Sequence, residues 1–171
     1  AGRDAGGNLR VPLVSAGALS IVGSRAFVVK GTVPNTTSSY AGGKTVGGLF
    51  TIATGLPAGT IIMAGTLRVK LRIIDLTTAG QTNFTIFDAN PTGSTLTDGT
   101  DTAVVAADVP KALIATGVNW AGSNGSITSL TVNVPRMAVD ASGNIYAVLT
   151  AAAPVLFAAA NALQFEFDGT Y

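Results

Sequence analysis

Between Leu67 and Ile73 the chain alternates without a break: Leu67, Val69, Leu71 and Ile73 are apolar, and Arg68, Lys70 and Arg72 stand between them. Successive side chains of a strand point to opposite faces, so this order predicts a half-buried strand with one apolar and one cationic side. On a helix the same residues would scatter around the whole circumference. Similar period-two or β-branched runs recur at Ala26–Val33, Thr45–Thr54, Thr82–Asp88, Ser126–Val134, Ile145–Thr150 and Ala162–Phe167. Turn residues separate them, at Pro34–Ser39, Gly55–Gly59, Ala89–Gly93, Thr97–Asp101, Asn124–Gly125 and Asp140–Asn144. Residues Thr102–Thr116 read differently. Their alanines favour one or two helical turns within a long connection, and Pro110 interrupts any longer helix. Seven or eight strands without a fixed repeat predict an all-β antiparallel sandwich or jelly-roll-like single domain.

A chain of 171 residues suits one core, which at this size needs no metal or disulfide staple. Residues 1–24 break the pattern with Gly2, Gly6, Gly7, Gly17 and Gly23, and with Pro12 inside an apolar stretch. They read as an extended N-terminal arm, with residues 25–171 as the β-sandwich domain. In such an arm Leu9, Val11, Leu13 and Val14 need a partner to cover them. The competing reading is an ordinary first strand of the domain's own sheet. The N-terminus lacks the charged-then-apolar order of a signal peptide, and no apolar run reaches the length of a membrane helix, so no membrane partner is expected.

The chain has no His and no Cys, a single Glu (Glu166), 11% charged residues and 47% hydrophobic ones. Without His or Cys, the common nucleophile–base pairs and zinc ligand sets are missing. The acids are mostly aspartates in turns, where Asp serves backbone geometry. The expectation is a protein that is not an enzyme and carries no cofactor. A net charge of +1 gives no steering towards nucleic acid. With so little charge, a dispersed monomer is a poor fit, and association with itself or with a large partner a better one.

Ala41-Gly-Gly-Lys-Thr45 resembles the end of a phosphate loop, but the glycine required earlier is Ser38 and the following residues are strand-like. Asp98, Asp101 and Asp108, and Asp140 with Asn144, are the only oxygen clusters worth weighing for calcium, and none has the spacing of a calcium loop. Phe84, Phe87, Phe165 and Phe167 lie on apolar alternation and read as core. Trp120 is either core or an exposed anchor. The stripe Arg68, Lys70, Arg72 is either a contact strip for an acidic partner or a solvated face.

The order Tyr40-Ala-Gly-Gly-Lys-Thr-Val-Gly-Gly-Leu-Phe-Thr-Ile52, the basic strand Thr66–Asp75, the segment Phe84-Thr-Ile-Phe-Asp-Ala-Asn-Pro91 and the stretch Leu96–Val109 together resemble small capsid decoration (cement) proteins of tailed bacteriophages. The resemblance spans about residues 40–110, and its motifs are structural. It implies a virion protein on the capsid exterior, a homotrimer bound to the major capsid protein. Residues 1–24 lie outside the resemblance; on this reading the arm would contact the major capsid protein, with Leu9, Val11, Leu13 and Val14 as capsid-contact anchors. The alternatives are a receptor- or glycan-binding module, which would need Trp120, Tyr40 and Tyr146 exposed and clustered, and a subunit of the lattice itself.

Overall fold

The computed structural model describes residues 2–3, 9–10, 25–63, 68–73, 76–78, 80–120, 127–131 and 136–171. In chain order its strands are β1 (Gly2–Arg3), β2 (Leu9–Arg10), β3 (Ala26–Val33), β4 (Thr45–Ala53), β5 (Ile61–Ile62), β6 (Arg68–Ile73) and β7 (Leu76–Thr78). They continue as β8 (Gly80–Phe87), β9 (Ala112–Trp120), β10 (Ile127–Thr131), β11 (Met137–Ala138), β12 (Asn144–Ala151), β13 (Leu156–Phe157) and β14 (Leu163–Thr170).

Two four-stranded sheets dominate, with orders β10-β6-β14-β3 and β4-β12-β8-β9. Every pairing in them is antiparallel. Among these long strands, each step along the chain from β3 to β8 changes sheet, β8 and β9 pair, and later steps change sheet again. That alternation across two packed sheets is a jelly roll, so the expected fold class holds. Three short pairs lie outside the large sheets: β1 with β2, β5 with β11, and β7 with β13. In the first, Gly2 faces Arg10 and Arg3 faces Leu9.

The inward faces follow from period two. Val69 and Leu71 on β6, and Leu163, Phe165 and Phe167 on β14, are buried, as are Phe50 and Ile52 on β4, Phe84 and Ile86 on β8, and Ala147 and Leu149 on β12. Four rings join the layers. Phe165 stacks on Phe50 at 5.2 Å, Phe84 lies 5.8 Å from Phe167, and Phe165 meets Phe167 edge-on at 5.4 Å. Offset and edge-on pairs of this kind add to the apolar burial itself. Gly31 stands opposite Phe165 across β3 and β14; a Cβ there would run into the Phe165 ring.

β12 is buried on both faces. Ile145, Ala147 and Leu149 belong to the core between the sheets, while Tyr146 and Val148 join Phe87 and Leu96 in a second cluster. That cluster sits beneath the loop of residues 88–111, which closes over the outer face of β4-β12-β8-β9. The helical expectation for Thr102–Thr116 is corrected here. One 3-10 turn forms at Val109–Lys111, and Ala112–Trp120 is a strand paired along β8. The edge of a sheet supplied a hydrogen-bonding ladder that outweighed the helix preference of alanine.

Removing one ring should open a cavity that the two sheets cannot collapse. Phe84→Ala is expected to lower unfolding free energy by about 3–5 kcal/mol, read from urea denaturation.

Candidate interaction surface

The loop 88–111 is long but heavily tied. At its base, Asp88 N–H donates to the Lys111 carbonyl at 3.1 Å. Asp108, almost wholly buried, accepts from Gly93 N–H (2.9 Å), Ser94 Oγ (2.7 Å) and Lys111 Nζ (2.7 Å). Lys111 first, then Ser94, hold its carboxyl below the usual carboxylate range. Thr95 and Ala103 form a backbone bridge.

The tip is tied to β4. Gly47 and Gly48 both have positive φ, 74° and 77°, and form a bulge where the β4–β12 register jumps from Ala147↔Phe50 to Leu149↔Val46. A Cβ on Gly47 would collide with Val33, so both the φ and the space demand glycine. The bulge turns Gly47 N–H to Asp98 Oδ1 and Leu49 N–H to the Leu96 carbonyl. Tyr40, 1% exposed, donates its hydroxyl to Asp98 at 2.8 Å and accepts from Thr36 N–H. Burial raises the Tyr40 pKa, and the Asp98 carboxylate adds to that. Lys44, in the segment that resembles a phosphate loop, pairs with Asp101 at 2.9 Å.

The aspartates weighed for calcium are therefore engaged separately. Asp98 holds Tyr40 and Gly47, Asp101 holds Lys44, and Asp108 holds the loop's own base. Asp140 accepts from Ser142 N–H, Asn144 N–H and the Tyr146 hydroxyl. Among the described residues no group of three or more such acids gathers.

With its ends pinned, the loop presents an apolar crest. Val104, Val105 and Val109 are 36%, 40% and 55% exposed, and Ala103, Ala106, Ala107 and Pro110 around them are exposed too. The sequence signal for this crest is an apolar run that alternates with nothing, the same run whose alanines favour helical turns. An exposed apolar patch on a braced loop is a mark of an interaction surface.

The outer face of the other sheet is charged. On the outer face of β10-β6-β14-β3, the registers set three rows across β3, β14 and β6: Thr32–Gln164–Arg72, Lys30–Glu166–Lys70 and Val28–Asp168–Arg68. Glu166 binds Lys70 at 2.7 Å and Lys30 at 2.9 Å. Lys70 first, then Lys30, lower its pKa to about 2. Arg68, Lys70 and Arg72 thus share one exposed face, as period two predicts. Leu67 lies outside the described residues. Sequence reasoning passed over the acid between the lysines, although the alternation Gln164, Glu166, Asp168 carried the signal.

Leu9 lies in the short strand β2, and Val11, Leu13 and Val14 lie outside the described residues. Tyr40 and Tyr146 are both buried, so the exposed aromatic cluster required for glycan binding does not form from them. Trp120 faces Gly80 in the β8–β9 register. Comparison with family models finds none that matches this chain, and comparison with curated proteins finds no relative.

Glu166 is the only Glu in the chain, so its carboxyl resonance is unambiguous in an NMR titration. Its midpoint is expected near 2, against an ordinary value of about 4.3. Because the folded value is the lower one, the contribution of Glu166 to stability is complete above its unfolded pKa and is lost as the pH falls towards 2. Replacing Lys30 and Lys70 together by Gln should move the midpoint back up.

Proposed function

We propose that this chain is a structural virion protein, a capsid decoration protein that binds the outside of a phage head as a trimer and stabilises the shell through the major capsid protein. The observation that carries the reading is the apolar crest of Val104, Val105 and Val109, held in water by a loop that Asp98 ties to Tyr40 and the buried Asp108 ties at its base. A cement protein gains its hold by covering a broad surface with many weak contacts, and a crest that is ordered before binding loses little entropy in doing so. Threefold copies would multiply that hold through effective concentration. The double-sheet jelly roll is an architecture shared by viral capsid and lectin domains, and the burial of Tyr40 and Tyr146 weighs against the lectin side. Within the stretch that carries the resemblance, Tyr40, the Gly47–Gly48 bulge, Leu96 and Asp98 are the parts that tie the loop down.

The test is sedimentation of purified protein with phage heads that lack it, followed by mass spectrometry of the fast fractions. Co-migration in fixed ratio to the more abundant shell protein is expected. A species that stays free in the slow fractions overturns the reading. Deleting residues 1–14 is expected to leave the circular dichroism spectrum and melting transition in place and to abolish co-migration. Saturation of heads by the truncated protein would remove the arm from the mechanism.

A further inference from the structure

The charged face of β6, β14 and β3 does not present its cations equally. Lys30 and Lys70 are both engaged by Glu166. Arg68 has Asp168 as its neighbour in the register, though no ion pair forms between them among the described residues. Among the described residues, Arg72 has Gln164, Thr32 and Ile127 in its row and no acid. A depression of about 490 Å³ opens there, lined by Arg72, Lys70, Gln164, Thr32 and Phe165 among others. Its polar groups are the Arg72 guanidinium with its fork of donors, the Gln164 amide, the Thr32 hydroxyl and the Lys30–Glu166–Lys70 row, in which the two ammonium groups take up the one carboxylate. That set suits a carboxylate, which takes two parallel N–H bonds from arginine.

The geometry points to this face as a docking surface for an extended acidic segment of a partner protein, with Arg72 binding one carboxylate, Arg68 a second, and Glu166 holding the central lysines out of the exchange. Arg68 and Arg72 are four residues apart on one strand, about 13 Å, which is also the reach between acids four residues apart in an extended chain. Charge complementarity selects the occupant: cations outnumber acids on the face. A nucleic-acid backbone fits less well. Its evenly spaced phosphates would meet Glu166 and Asp168, and the rings Phe50, Phe84, Phe165 and Phe167 are buried, so they offer bases nothing to stack on. On the proposed function, the partner would be a shell-protein segment of this kind.

A short synthetic threonine–valine peptide with two glutamates four residues apart serves as the probe, titrated at low salt and followed by chemical shifts. Arg72→Gln is expected to weaken binding about tenfold, and Arg68→Gln to weaken it less. Arg136→Gln removes an equal charge elsewhere and should change nothing. Glu166→Gln frees two lysines and should tighten binding, a gain that loss of folding cannot mimic. Equal effects of Arg72→Gln and Arg136→Gln, or weaker binding by Glu166→Gln, overturn the proposal. So does duplex DNA binding as tightly as the peptide. Heads that capture wild type and Arg72→Gln alike would sink the docking face and leave the decoration reading standing. Peptide binding with the expected variant order, but no capture by heads, would do the reverse.

Discussion

Everything else in this molecule rests on the contact between two sheets across four phenylalanine rings. Phe50 and Phe84 come from one layer, Phe165 and Phe167 from the other. Around them the core adds Phe27 and many Val, Ile, Leu and Ala side chains, which pack well but lack the rings' extent. Gly31 leaves the space that Phe165 occupies. Once the rings set the separation of the layers, the register of β14 against both β3 and β6 follows. A slip by one residue would turn Phe165 and Phe167 to water and Glu166 to the core.

That register also builds the outer face. The acids of β14 cannot be placed between the cations of β3 and β6 unless Phe165 and Phe167 point inward, since the two sets alternate on one strand. The charged rows are thus a by-product of core packing and inherit its rigidity. Individual exposed ion pairs of this type contribute little to stability. What they contribute is arrangement: Lys30 and Lys70 occupied, Arg72 left over.

Much of this was legible in the sequence because it is local. The strict alternation of Leu67–Ile73 placed Arg68, Lys70 and Arg72 on one face, and the alternation of Ala162–Phe167 placed its phenylalanines in the core. The near-continuous apolar run Ile145–Leu149 read as a strand, but burial on both faces needs the loop above it, and no local pattern announces that cover. The ties of Tyr40 and Gly47 to Asp98 bridge more than fifty positions; only the finished topology brings them together. The alanines after Pro110 misled because propensity was read without the waiting edge of β8.

The carboxylates and phenols held in these hydrogen bonds titrate away from neutrality. Asp108 and Asp140 are held below the ordinary carboxylate range by the groups that donate to them, while burial lifts Tyr40 and the Asp140 hydrogen bond lifts Tyr146. In a chain without His or Cys, no side chain is left whose ordinary titration falls between roughly pH 5.5 and 9. Asp108 and Asp140 move further to the acid side of that interval, and Tyr40 and Tyr146 further to its alkaline side. Between those limits the side chains keep one set of charges.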